Sequence, residues 1–598
     1  MLRPDFTAVR PLAVVRTAVV VRPGLLVRFP GIPRISRAQL RTLAPVGVPF
    51  VAYLAIGLIF SLGGEIITGD AWSRVGNAYY VLFSRDPHLA AIGFVWNPLP
   101  SIVDALFLPL ALVWRPIVDH GVAGNLMSSL FMAFAIREAW LWLGELGVPK
   151  PARIGLVAAF ALHPLVVLYG GNGMSEAPFV FFLLVAGRAV SGWLGSSSVS
   201  RLAIAGFGLA LAYLTRYEAV APMAALTLVV GGVSFARARG TRSERATTGL
   251  ADALILAAPA AAAFVLWAVA SWIIVGSPFE TFTSVYGNSS QVGLSIEAIR
   301  ASTGSTPAGM LAYLGRQVLA LEPALLLVLG LAAGVAVVRR DVRMLVPVAA
   351  LGSVVLFSGL LFIAGGSFGW LRFSITAIPL AVICLGVVLG GAAAAPSRVA
   401  AARAPEAAPA ARPPAALVVT VARRAAVPLA AVASALVVIL ALVAIPVSVN
   451  AMFDARLARE EAPKIAGLVA GNSLMPGERR QFLVAGEIAR YLDAQDLPRG
   501  SVVVDVALGF WIVLQSEDPE QFVITPDRDF ERVIADPATF DARYLLISPP
   551  YGLGGLAALE RAHPGLYETG AGIAELSREF RNPTDGAVAW RLFEVTPN

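Results

Sequence analysis

The chain has 598 residues, of which 57% are hydrophobic and 14% charged, with a mean hydropathy of +0.74. A soluble domain carries about 25% charged residues, so this composition excludes a soluble multi-domain enzyme, a disordered chain and a disulfide scaffold, and leaves a polytopic membrane protein. A single cysteine, Cys384, and four histidines exclude an intramolecular disulfide and a cysteine-rich metal site.

The net charge of +7 conceals a split. Residues 451–598 carry 14 Lys+Arg against 22 Asp+Glu, a balance of −8, while residues 1–450 carry 32 against 17, a balance of +15. In the apolar part Arg sits in short loops, where it sets orientation in a bilayer. The high pI therefore calls for no nucleic-acid partner, and the acidic tail reads as a water-soluble domain.

In chain order, residues 1–43 hold eight Arg and one acid, Asp5, which places this segment in the cytoplasm. Windows that approach the roughly 20 apolar residues of a spanning helix follow at 44–63, 155–171, 177–195, 202–215, 218–235, 251–275, 320–338, 344–365, 373–392 and 427–449. The two at 202–215 and 218–235 are short and read as an irregular pair. Alternating crossings put Lys150 and Arg153, Arg237 to Arg245, Arg339 to Arg343 and the Ala/Pro/Arg linker 393–426 on the cytoplasmic side. The first loop 64–99, the segments 170–176, 216–218, 276–312 and 366–372, and the tail 450–598 then face outward. Between that first loop and Lys150 lie two apolar stretches, 100–118 and 123–147. Parity requires an odd number of crossings there, so one of them is read as interfacial. The expectation is a mainly α bundle of about eleven crossings, with thirteen as the alternative, and a C-terminal extracytoplasmic α/β domain. In that domain 481–495 reads as an amphipathic helix, and 501–505, 521–524, 544–547 and 589–595 as strands.

Polar chemistry concentrates in the first loop, which holds Glu65, Asp70, Arg74, Asn77, Arg85, Asp86, His88 and Asn97. Asp70 and Arg74 stand four apart and share one face of a short helix. As a surface ion pair they contribute about 0 to 1 kcal/mol. Tyr79, Tyr80, Phe83, Phe94 and Trp96 are expected to anchor the segment at the membrane surface, which would hold a carboxylate where lipid head groups lie. Asp104, Arg137 and Glu138 fall inside apolar stretches, and His163 reads as a packing residue.

Gly69-Asp70-Ala71-Trp72-Ser73-Arg74, followed by Asn97-Pro98-Leu99-Pro100, resembles the first-loop pattern of the GT-C glycosyltransferases that use polyprenyl-phosphate sugars, such as the lipid A aminoarabinose transferases and protein O-mannosyltransferases. In that superfamily the acid after the first membrane helix is catalytic, and an Arg and a Lys/His-Pro-Pro-Leu element follow on the same loop. Asn97-Pro98-Leu99-Pro100 lacks the basic residue, leaving His88 or Arg85 for that role. His163-Pro164 with Tyr169-Gly170 and Ser175-Glu176, then Leu214-Thr215-Arg216 before Glu218, and Trp370-Leu371-Arg372-Phe373, are similar to later elements of these enzymes. All fall on the external side. The resemblance implies a polyprenyl-phosphate sugar donor, a lipid, glycan or protein acceptor, Asp70 as catalytic residue, and Arg74, Arg85, His88, Asn97, Tyr169, Glu176, Arg216, Glu218 and Arg372 as substrate-binding candidates.

An acceptor hydroxyl needs a carboxylate to take its proton, a contribution of roughly 10²–10⁴-fold, and a departing phosphate needs fixed positive charge of the kind a guanidinium fork supplies. Glu176 with Asp70 offers an acidic pair for a divalent cation, Mg²⁺ or Mn²⁺, with Zn²⁺ if His88 joins. Equally, Glu176 is an acid favoured at a helix start. A secondary transporter would show matching broken repeats, and no second copy of the Asp70 loop occurs in the sequence. A non-catalytic scaffold would leave the external acids and arginines without a role.

Overall fold

The computed structural model describes residues 37–390, 431–471 and 475–596. The basic segment before residue 37 and the linker 393–426 lie outside the described residues. The described residues from Pro45 onward form one compact unit.

Eight helices among the described residues are long and apolar enough to cross a membrane: Pro45–Gly63, Val122–Glu145, Glu176–Ser196, Tyr217–Arg237, Arg242–Val275, Val342–Ile363, Leu371–Leu389 and Ala431–Met452. Two further pairs qualify jointly but are bent, Lys150–Ala161 with Pro164–Gly171 by 61° and Pro307–Leu321 with Leu325–Arg339 by 77°, giving up to 10. Helix Val199–Thr215, at 17 residues, is the remaining element of the sequence reading. The first bend follows from Pro164, which cannot donate to the preceding turn. The stretch 100–118 does not span: Pro109 and Pro116 cut it into the short helices Leu99–Ala105, Leu108–Leu112 and Pro116–Asp119. Leu106, Leu112 and Val113 are exposed along it, as in a segment lying on a bilayer. Arg216, extended at φ −150° and ψ 137°, separates Val199–Thr215 from the next helix and makes the tight joint expected there.

Two close approaches shape the floor of the site. A Cβ on Gly57 would collide with the carbonyl oxygen of Gly171, so only glycine lets the first spanning helix meet the end of Pro164–Gly171. Asn125 Nδ2 donates to that same carbonyl at 2.5 Å. Within the bundle Arg137 and Glu138 do touch, at 3.1 Å, and Arg188 completes the pair at 2.6 Å from Glu138. His163 is fully buried, its Nε2 2.9 Å from Ser448 Oγ, so it packs as the sequence suggests.

The tail folds around a five-stranded sheet of order β2-β1-β3-β5-β4, with β1 Val502–Val504, β2 Phe522–Ile524, β3 Tyr544–Ile547, β4 Ala574–Arg581 and β5 Val588–Val595. The first three strands are parallel and the last two join antiparallel. Four strands coincide with the apolar runs read from sequence. The fifth, β4, alternates charges at Glu575, Arg578 and Glu579 along an edge and carries no apolar run to betray it.

Much of the first loop is a helix, Gly69–Phe83, that packs against the tail. Trp72 is fully buried, with Phe482 stacked at 5.8 Å and Trp511 edge-on at 4.9 Å. Its indole nitrogen donates to Val118 O at 2.7 Å. Tyr79 and Tyr80 are buried in the same cluster. The surface-anchoring role expected for these tyrosines is therefore corrected: burying two large rings against Phe482, Trp511 and Leu514 removes them from water.

Candidate active site

Arg372 is the centre of the site. It lies just before the spanning segment's proline-containing helix, in the short turn Leu371–Ser374, and its side chain is only 3% exposed. Its guanidinium reaches Asp70 at 2.9 Å, Glu460 at 3.1 Å and Glu176 at 3.7 Å, with the Trp370 ring 4.4 Å below. Glu176, at the start of Glu176–Ser196, also takes Arg216 at 2.6 Å, and Arg216 turns to Glu218 at 2.5 Å. Five residues from four separate motifs, at positions 70, 176, 216, 218 and 372, thus form one chain of alternating charge, buried at Glu176, Glu218 and Arg372 and partly open at Asp70 and Arg216.

Arg74 joins from the helix that carries Asp70. Its Nη1 donates to the Asp70 carbonyl at 2.8 Å, it lies 4.8 Å over Trp96, and it approaches Met174 at 3.9 Å. Arg372 contacts the same sulfur at 3.7 Å. Tyr169 faces the cluster from below, donating to Glu461 at 2.8 Å.

Three residues of the tail complete the site and were not anticipated. Glu460, Glu461 and Lys464 follow the last spanning helix, and helix Glu461–Ala470 drives them under the first loop. Lys464 is buried and bridges Glu460 at 3.2 Å and Glu478 at 3.4 Å. Their one sequence signal is the i, i+4 spacing of Glu460 and Lys464, which in isolation reads as a surface pair.

Burial alone would raise the Asp70 carboxyl, but the charges of Arg372 and Arg74 outweigh it and hold Asp70 below its ordinary value. Glu461 goes the other way: burial, reinforced by the Glu460 charge, pushes it up to about 7. Asp104, fully buried with no hydrogen-bond partner for either oxygen among the described residues, is pushed well above the carboxylate range by burial. Because the folded pKa of Glu461 lies above its ordinary 4.5, the folded state binds that proton more tightly, and stability falls as pH rises through the interval between the two values. Glu461→Gln should flatten the pH dependence of thermal unfolding across that interval and raise stability above about pH 7, read by melting the purified protein over a pH series.

Three expected site residues lie elsewhere. Arg85 pairs with Asp527 at 3.0 Å and with Asp529, while Asp86 pairs in return with Arg528, so this stretch clasps the first loop to the tail. His88 Nδ1 lies 2.6 Å from the Asp86 carbonyl. Asn97 Nδ2 donates to Tyr213 O at 2.5 Å and fixes the loop to helix Val199–Thr215. None of the three is brought to Arg372: Arg85 is held by carboxylates of the tail, His88 by Asp86 of its own loop and Asn97 by a backbone carbonyl of the neighbouring helix. Arg85→Ala, which leaves the buried Asp527 without its cation, should cost about 3 kcal/mol of stability and leave the Asp70 cluster's chemistry within a few-fold of wild type, checked by unfolding and by transfer assays side by side. The acidic pair of Asp70 with Glu176 is likewise bridged by the Arg372 guanidinium, which occupies the place read from sequence for a divalent cation. Among the described residues no group of three His, Cys, Asp or Glu side chains is gathered to hold a metal.

Asp70 opens on its other side into a cavity of about 500 Å³ between the first loop, the segment 276–291 and the tail. Its lining includes Phe94, Trp96, Phe510 and Trp511, and the acids Asp70, Glu280, Asp505 and Glu531, with no Lys or Arg among the described residues. Asp505 ties the walls together, accepting from Tyr286 at 2.7 Å and Thr525 at 3.0 Å.

The fold and site are those of a many-helix membrane protein with a buried charge cluster covered by an α/β tail. No family description and no curated protein matches the sequence. Among solved structures the chain is similar to ArnT from Cupriavidus metallidurans bound to undecaprenyl phosphate, at 14% identity over 93% of this chain and 98% of that one, with a TM-score of 0.45. It is also similar to the oligosaccharyltransferase AglB from Archaeoglobus fulgidus in complex with an inhibitory peptide and a dolichol-phosphate, at 11% identity over 92% and 74%, with a TM-score of 0.38.

Proposed function

We propose that the chain is a membrane glycosyltransferase of the GT-C type, moving a sugar from a polyprenyl-phosphate donor to an acceptor hydroxyl, with Asp70 as general base. The observation that carries this reading is the position of Asp70, whose carboxylate meets the Arg372 guanidinium at 2.9 Å and also borders the cavity of about 500 Å³. The phosphate of the donor lies toward Arg372, Arg74 and Lys464, where several N–H donors in a dry site are strong ligands for phosphate oxygens. The acceptor enters from the cavity. Its hydroxyl attacks the anomeric carbon, its proton passes to Asp70, and the bond from that carbon to the phosphate oxygen breaks.

Aromatic faces and carboxylates without basic residues suit a neutral, hydroxyl-rich acceptor: rings stack on the sugar's C–H faces, carboxylates accept from hydroxyls, and an anionic acceptor would be repelled. In the orientation read from the basic loops, site and tail face the outside of the cell membrane and the N-terminus the cytoplasm. Glu460 completes the reading as the carboxylate that neutralises Arg372 until the donor phosphate displaces it.

The test is reconstitution of the full chain with radiolabelled polyprenyl-phosphate sugars and a membrane acceptor fraction. Label should leave the lipid and appear in a glycosylated product with release of polyprenyl phosphate. Label that stays on every donor tried, in a sample that unfolds cooperatively, would reject the reading.

A further inference from the structure

At the end of the bundle remote from Asp70, helix ends bring several arginines together. Arg237 comes from the last turn of Val220–Arg237, Arg339 from the last turn of Leu325–Arg339, and Arg340 and Arg343 from the turn that follows. They line a cavity of about 400 Å³ together with Glu145 and Asp341. Both acids are already matched: Asp341 by Arg343 at 2.5 Å, and Glu145 by Arg188 at 2.7 Å and Arg201 at 3.3 Å. Arg237, Arg339 and Arg340 therefore have no carboxylate partner among the described residues.

Helix C-termini attract cations, and that accounts for part of the arrangement. Arg237 Nη1 donates to Leu194 O at 2.8 Å, and Arg339 Nη1 to Gly390 O at 2.5 Å. Arg340 ends its helix as an ordinary left-handed cap, its N–H bonding back to Val337 O at 3.2 Å, but its side chain is exposed and makes no hydrogen bond or ion pair among the described residues. Nor does the pull of helix ends account for what adjoins the cavity. Arg339 also stands at one end of a shallow apolar groove on the exposed face of its own helix, flanked by Leu326, Leu327, Leu331, Val335 and Val338. Gly330 and Gly334 form part of the groove lining, and a methyl at either would meet open space. A basic cavity in which three guanidinium groups form no ion pair among the described residues thus adjoins a surface groove of acyl-chain character, with Arg339 common to both.

We infer that this is a binding site for a phosphate-bearing anionic lipid, its head group held by Arg237, Arg339 and Arg340 and one acyl chain laid along the groove. Basic pockets between spanning helices hold anionic head groups in this way. Arg339, which borders both the cavity and the groove, favours a lipid over a free phosphate. The site is separate from the Asp70 cluster and stands whether or not the chain transfers sugar.

Native mass spectrometry of the delipidated full chain, after adding back phosphatidylglycerol or phosphatidylcholine with identical acyl chains, tests it. The phosphatidylglycerol adduct should persist where the phosphatidylcholine adduct is lost. Arg237→Gln with Arg340→Gln should weaken retention by roughly ten- to thirtyfold, and Gly334→Leu, which fills the groove, should weaken it with all arginines in place. A parallel thermal-shift arm uses inorganic phosphate alone. Equal retention of the two lipids, or retention unmoved by the arginine pair, overturns the proposal. Protection by phosphate that matches phosphatidylglycerol and ignores Gly334→Leu would also overturn it, because the site would then belong to a free anion. Arg340 is exposed and without a described partner, so Arg340→Gln alone supplies a variant that folds if the pair does not.

Discussion

Asp70→Asn is expected to lower sugar transfer by roughly 10²–10⁴-fold while the protein remains folded and still binds its donor. The substitution keeps size and one hydrogen-bond acceptor, so Arg372 retains a contact where Asp70 Oδ2 now lies at 2.9 Å. What it removes is the carboxylate proposed to take the acceptor's proton. Because Arg372 and Arg74 hold the Asp70 carboxyl below its ordinary value, the base is fully ionised at neutral pH. The wild-type rate should accordingly show no loss on the acid side until the pH falls below the ordinary carboxylate range. A low-pKa base is a weak proton acceptor, and its contribution then comes from orientation and from charge as much as from basicity. The discriminating measurement is the split between kcat and KM. Loss of a group acting on the transition state lowers kcat with KM nearly unchanged, whereas loss of a donor-binding contact raises KM. A variant that transfers at the wild-type rate would remove Asp70 from the chemistry.

The sequence discloses the cluster unevenly, for physical reasons. Asp70, Glu176, Arg216, Glu218 and Arg372 are legible because each stands at an end of an apolar window, and a topology that alternates crossings places those ends on one side. Bilayer thickness does the sorting. Glu460, Glu461 and Lys464 lie in the tail, where no such ruler applies, and their burial depends on helix Glu461–Ala470 docking under the first loop. The packing of the tail also misdirects the reading of Tyr79 and Tyr80, whose composition suits an interface with lipid but whose rings are buried in a core shared with Trp511 and Leu514 of the tail. It also misdirects Arg85, whose partners Asp527 and Asp529 are more than four hundred positions away. Periodicity reports the solvent that a segment faces; which other segment covers it is a tertiary fact. The bend at Pro164 and the break at Pro109 and Pro116, by contrast, are local chain properties, although the hydropathy reading takes 155–171 as one window and does not say which of 100–118 and 123–147 fails to span.

Removing Arg372 should have the second large effect, and on stability as well as on transfer. Arg372→Leu leaves Asp70, Glu176 and Glu460 around an apolar side chain, where Arg372 now stands at 2.9, 3.7 and 3.1 Å from them. Taking one member from a buried charge network costs about 3–5 kcal/mol, chiefly the penalty of the charges left behind. Arg372→Lys retains the charge without the fork, so it should recover much of the stability while transfer stays low, because a single ammonium cannot hold the carboxylate and a phosphate oxygen in fixed planes at once. If the loss in Arg372→Leu comes from uncompensated carboxylates, then adding Glu460→Gln to it should restore stability beyond what the two single changes sum to. Residues that share a partner are non-additive in this way. Thermal unfolding of the four proteins (wild type, each single variant and the double) measures that coupling directly. Strict additivity would mean that Glu460 and Arg372 are neighbours without a shared energy, and the account of Glu460 as the carboxylate that keeps the phosphate position neutral would fall with it.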